Sequence, residues 1–138
     1  MKSMPTPLLV AVAGAVAVVG FQFPVNIAER SYSGFPAGTD FDAVLSGPTV
    51  EADVARLDDR SVVLTTAGGA GCPNYPTGIV ATSASEVTIH VRAPTGFCSL
   101  ALVYTSYELR LPSTATAQEL TVTVDYWPTG ASRILKLE

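Results

Sequence analysis

Polar and apolar side chains alternate one by one from Glu86 to Arg92, with Val87, Ile89 and Val91 in one phase and Thr88 and His90 in the other. A period of two is the period of a strand. It puts the three aliphatic residues on a buried face and His90 outward, between Thr88 and Arg92. Residues 119–126 repeat the pattern, with Leu120, Val122, Val124 and Tyr126 inward. Sheets with one apolar face need a second layer to cover it. Segments 50–57 and 61–66 flank Asp58-Asp59 and read as a hairpin. Helix is the competing reading of 50–57, because acidic residues come early and Arg56 late. In 98–111, Cys98, Leu100, Leu102 and Tyr104 share one phase while Tyr107, Leu109 and Leu111 take the other, so a bulge or crossover is expected at Thr105-Ser106. Residues 41–45, 79–82 and 133–137 are shorter candidates, the last with Arg133 and Lys136 as edge protection.

Seven or eight short strands separated by Gly, Pro, Ser and Thr predict an all-β chain: an antiparallel β-sandwich of immunoglobulin-like size, preceded by an apolar helix at the amino terminus. The expected division is a leader over 1–28, an irregular spacer over 29–48 and the sandwich over 49–138.

The leader has Lys2 and the α-amine ahead of an apolar run from Leu8 to Phe21, which continues with little polarity to Ile27 before Glu29 and Arg30. That is the layout of a signal peptide, or of an uncleaved signal anchor with its carboxyl side outside. As a helix, residues 8–21 would reach about 21 Å and residues 8–27 about 30 Å, so length alone leaves both open. Small residues for the −3 and −1 positions of a cleavage site are mostly poorly placed: Ala13-Gly14-Ala15 and Ala15-Val16-Ala17 lie too deep in the run, Val18-Val19-Gly20 is passable, and Asn26-Ile27-Ala28 is a weak match. Retention as a membrane anchor through residues 8–27 is therefore the favoured reading, with a secreted domain as the alternative. No cysteine precedes Cys72, which excludes a lipoprotein.

Two cysteines, Cys72 and Cys98, fall in the exported part without CxxC spacing. An even count in such a context suits one disulfide, against the alternative of two buried thiols in a cytosolic domain. Closing that loop would contribute about 3 to 4 kcal/mol on chain-entropy grounds. Two cysteines and one distant His90 do not supply four zinc ligands. With eight basic against twelve acidic side chains and a formal charge of −4, no basic stripe exists to neutralise phosphates, so nucleic acid is not an expected partner.

The segment Gly69-Ala70-Gly71-Cys72-Pro73-Asn74-Tyr75-Pro76, the strand 86–91, and the run from Cys98 to Leu111-Pro112 together resemble a widespread group of small exported or membrane-anchored actinobacterial proteins of unknown function. Members carry a Gly/Ser-Cys-Pro-x-x-Pro segment and a later Cys-Thr-x-Asp segment running into Leu-Pro. Here Ala101 stands where an acidic residue is frequent and Tyr104 where Pro is common. The resemblance covers residues 61–112. It implies an exported, disulfide-bonded β domain and carries no known activity.

Catalytic chemistry finds few residues to work with. A Ser-His-Asp relay would have to recruit His90, the single histidine, and no GxSxG is present. Asp40 with Asp42, and Asp58 with Asp59, are carboxylate pairs in a spacer and in a turn, where Asp serves local backbone bonding better than glycoside hydrolysis. Asp40-Phe41-Asp42 offers too few oxygens for calcium. The Gly68–Gly71 run lacks the lysine of a phosphate loop. Tyr126-Trp127-Pro128-Thr129-Gly130 is one residue short of a sortase signal and has no apolar tail after it. Its aromatic pair, Tyr126 and Trp127, is the candidate binding platform for a sugar ring or a Pro-rich partner, although the favoured expectation is that Trp127 folds back to plug the end of the sandwich. The expected function is a non-enzymatic, envelope-facing domain that binds a protein or glycan, without a cofactor or metal. A secreted binding or inhibitory module, and then a small hydrolase, follow behind it.

Overall fold

The computed structural model describes residues 25–39, 52–69, 71–94 and 102–138. Their alternating segments form eight strands: β1 (Arg30–Ser33), β2 (Ala52–Asp58), β3 (Ser61–Gly69), β4 (Tyr75–Ala81), β5 (Glu86–Arg92), β6 (Leu102–Arg110), β7 (Leu120–Trp127) and β8 (Ser132–Leu137). Two four-stranded sheets result, in the orders β1-β6-β3-β2 and β4-β5-β7-β8. Their apolar faces share one core, to which Val54, Leu64 and Leu109 contribute from the first sheet and Ile89, Val122 and Val124 from the second. Fully burying an aliphatic side chain of this size is worth about 1.5 to 3 kcal/mol, so these positions dominate the stability of the sandwich.

The expectation of an all-antiparallel sandwich is corrected at one pair. β5 and β7 are parallel, with Val87 beside Val122, Ile89 beside Val124 and Arg92 beside Trp127. The cause is the path of β6, which leaves for the other sheet and pairs there with β1 and β3. The chain runs one way in β5, returns through β6 in the facing layer, and re-enters beside β5 in its original direction. Thr121 N–H then donates to Ser85 O at 2.8 Å, and Ala117 N–H to Ala84 O at 2.9 Å. Such a crossover satisfies the length that a parallel connection needs without a helix.

The expected bulge at Thr105-Ser106 is also absent: β3 and β6 stay in register from Ser61 beside Arg110 to Gly69 beside Leu102. The two phases within this strand are both served. Tyr107 and Leu109 face the core, while Ser106, on the opposite face, is wholly buried. Its hydroxyl donates to Gly34 O and lies 2.8 Å from Thr65 Oγ1, and Phe35 packs on Tyr104 with ring centroids 4.7 Å apart. The displaced irregularities sit elsewhere, at Leu57 in β2 and at Thr77 in β4. β4 is an edge strand, where Pro76 and its missing N–H are tolerated.

Residues 27–34, the last two of the expected leader and the first six of the expected spacer, are stitched to both sheets. Ile27 N–H donates to Pro76 O at 3.1 Å, Glu29 N–H to Glu108 O at 2.9 Å, and Arg30–Ser33 pair with β6 as an edge strand. At the opposite edge, Arg56 reaches 61 residues along the chain to the carbonyls of Ala117 and Gln118, and Arg60 bonds Pro112 O at 3.1 Å. These two guanidiniums clasp the 111–119 connection onto the β2–β3 hairpin. Leu111 and Ala115 of that connection close the core beneath them. Residues 1–24 of the expected leader, the 41–45 segment and the Asp40/Asp42 pair lie outside the described residues.

Candidate functional site

The outer faces of the two sheets differ. That of the first sheet is covered: Val63, Thr65 and Ser106 are buried although they point away from the core. That of the second is open, with Val80, Trp127 and Ile134 exposed. Register assembles this open face in rows. Gly78 lies beside His90, His90 beside Asp125, and Asp125 beside Ser132, so one row crosses all four strands. The next position along β5 and β7 on the same face brings Arg92 beside Trp127.

The aromatic pair splits at this point. Tyr126 turns inward and is 8% exposed, closing the core, whereas the expectation that Trp127 plugs the sandwich is corrected: with Tyr126 filling that place, the indole points outward and is 58% exposed. Arg92 stacks on the indole with its guanidinium carbon 4.2 Å from the ring centroid. At an exposed site this contact is worth about 0.5 to 1 kcal/mol, enough to bias the ring toward one orientation. Ala93 N–H also donates to Trp127 O at 2.7 Å, so the backbone beneath the ring is fixed from the β5 side. On the β8 side, the turn places Gly130 at φ 77°, a left-handed conformation suited to glycine. There Gly130 N–H donates to Tyr126 O at 2.8 Å.

Small residues make the face concave. Thr77, His90, Asp125, Trp127, Gly130 and Ser132 border a shallow cleft of about 380 Å³. Gly78 leaves the His90 imidazole uncovered, since a Cβ there would stand 3.6 Å from His90 Cδ2. Among the described residues, the side chains of His90, Asp125 and Ser132 have no hydrogen-bond partner. Their order rules this trio out as a relay: a Ser-His-Asp arrangement needs imidazole in the middle, and here the carboxylate stands between His90 and Ser132.

The other sites read from sequence serve local structure. Asp58 Oδ1 accepts Arg60 N–H at 2.8 Å, and that backbone bond holds the Asp58 carboxyl below its usual range. Cys72 is half-buried and is not a free thiol; Cys98 lies outside the described residues. Cys72 N–H donates to Gly69 O at 3.1 Å, pairing it with the end of β3. A larger cleft of about 600 Å³ lies beside Arg56 and Arg60. Their guanidiniums are committed to backbone carbonyls, and Arg56 Nε is buried without a partner among the described residues. Among the described residues no three His, Cys, Asp or Glu side chains converge on a metal-sized site.

Sequence reasoning picked out Trp127 and placed His90 outward but missed Arg92, Asp125 and Ser132 as their companions. The signal that joins them is strand direction, which no single segment carries. Compared with known protein families, with curated proteins and with solved structures, the chain matches none.

Proposed function

We propose that this chain is an exported, envelope-facing β domain without enzymatic activity, tethered by its apolar leader, that binds a partner through the open outer face of the second sheet. The observation that carries the reading is Trp127, large, exposed and held in place by Arg92 on a face that no other part of the described structure covers. Exposed aromatics fixed in place are favoured anchors of binding surfaces. The partner is a protein or glycan of the cell envelope.

The leader's apolar run and the single pair of cysteines support export. We assign a disulfide between Cys72 and Cys98, consistent with Cys72 being no free thiol. Because Ile27 is already bonded to Pro76, an anchor ending at residue 27 leaves little slack, and the domain would ride close to the bilayer.

Intact mass of the protein recovered from membranes of its native cells tests this reading. The expected chain retains residues 1–28 and is two hydrogens lighter than the reduced form. A mature chain starting near residue 21 or 29 in the culture fluid would replace the tethered domain with the secreted module. Burial of Trp127 on binding is read from its fluorescence, since it is the only tryptophan. An emission that no envelope fraction alters would overturn the assignment of this face.

A further inference from the structure

We infer that the cleft beside Trp127 is a saccharide subsite, in which the indole carries the apolar face of an uncharged pyranose and the His90-Asp125-Ser132 row bonds its hydroxyls. The inference rests on the proposal that this face binds a partner, and narrows the partner to one chemistry.

A pyranose presents C–H groups on its ring faces and hydroxyls around its rim. The first need an electron-rich flat surface, which the indole face not stacked by Arg92 supplies. The second need closely spaced acceptors and donors whose bonding capacity is not already spent. Asp125 provides two acceptor oxygens, Ser132 a donor and acceptor, and His90 two ring nitrogens able to hydrogen-bond. None of these side chains is engaged within the described residues. The row they form runs toward β8 next to the indole, as a ring lying on Trp127 requires.

Size and charge agree. The cleft, about 380 Å³, stands at the small end of ligand clefts, which run to about 1,000 Å³. It suits one or two rings rather than a folded partner. Arg92 and Asp125 bring opposite charges to the two rows, which matches a neutral, hydroxyl-rich ligand better than a phosphate or a polyanion. An apolar peptide would need a continuous apolar strip. Val80 and Ile134, the other exposed aliphatics of this face, stand on β4 and β8, and the row that joins them passes through Thr88 and Thr123.

The test uses the full isotope-labelled chain in detergent micelles, with cellobiose, maltose, mannobiose and N,N′-diacetylchitobiose as probes. The indole N–H resonance of Trp127 is the reporter. At least one disaccharide should shift it saturably, with saturation transfer to the sugar's ring C–H protons. Trp127→Ala should abolish the transfer. Asp125→Ala should weaken binding about tenfold, as loss of one charge-assisted hydrogen bond implies. Ile134→Ser, on the same face but outside the cleft, should leave affinity unchanged, and dispersed amide spectra confirm that each variant is folded. Absence of a shift with all four disaccharides overturns the saccharide assignment, as does binding that survives Trp127→Ala. If the disaccharides fail while an envelope protein still buries Trp127, only the ligand class falls; if neither perturbs it, the binding face falls too.

Discussion

The point where the chain passes from the first sheet to the second gives a sharp energetic test. Asn74, just before β4, accepts Tyr107 Oη at 2.6 Å and Thr66 Oγ1 at 3.3 Å on its carbonyl oxygen, and its own Nδ2 donates to Ala67 O at 3.1 Å. Tyr107 and Thr66 are both almost fully buried. A net intramolecular hydrogen bond is worth about 1 kcal/mol, so Tyr107→Phe should cost about that much. In a domain of this size the melting point should fall by roughly 4 °C. Thr66→Val removes the longer bond and should cost about 0.5 kcal/mol. Either single variant leaves the carbonyl one donor; the double variant leaves none, and an orphaned buried acceptor costs about 1 to 3 kcal/mol. The double variant should therefore exceed the sum of the singles by about 1 kcal/mol. Denaturant unfolding of the four proteins measures this coupling. Additivity within about 0.5 kcal/mol would refute the reasoning, because it would mean that water replaces both donors at this half-buried carbonyl. Burial also raises the Tyr107 pKa above its ordinary value near 10. Stability from the protonated phenol is complete below that ordinary value and is lost as pH rises through the folded one, so the gap between wild type and Tyr107→Phe should narrow above about pH 10.

Arg56→Leu removes two charge-assisted bonds to the 111–119 connection and should cost about 2 kcal/mol, with faster amide exchange over 115–119; unchanged exchange there would sink the clasp. Asp58, its carboxyl held low by the Arg60 N–H, contributes stability that is present above the unfolded carboxylate value near 3.8 and lost as pH falls through the folded one. Asp58→Asn should therefore flatten the acid limb of the melting profile below about pH 4, and an unaltered limb would contradict this. Two glycines should respond in opposite senses. Gly78→Ala meets only ordinary contacts in a strand and should stabilise by about 0.5 kcal/mol, whereas Gly130→Ala, at φ 77°, should destabilise by about 1 kcal/mol; matching signs in thermal unfolding would refute the backbone argument.

What the sequence made legible is the set of inward residues, because burial on one face writes itself into a period of two. Val87, Ile89, Val91, Leu120, Val122, Val124 and Tyr126 all point as the alternation requires. Alternation says nothing of which strand lies beside which, or in what direction. The phase change within β6 illustrates the loss. A bulge and a second covered face produce the same letters, and the deciding fact, Gly34 and Phe35 lying over Ser106 and Tyr104, depends on residues 72 and 69 positions away along the chain. The same blindness hid the candidate site. Had β7 run antiparallel to β5, Arg92 would face the Leu120 end of β7 and Trp127 would stand near Glu86, leaving the indole beside a carboxylate. Parallel pairing instead sets the guanidinium against the indole and His90 against Asp125. The chemistry of this face is therefore a consequence of β6 crossing to the other sheet. A variant that disturbs the β6 crossover should move the Trp127 resonance even though β6 contributes nothing to the row beside it.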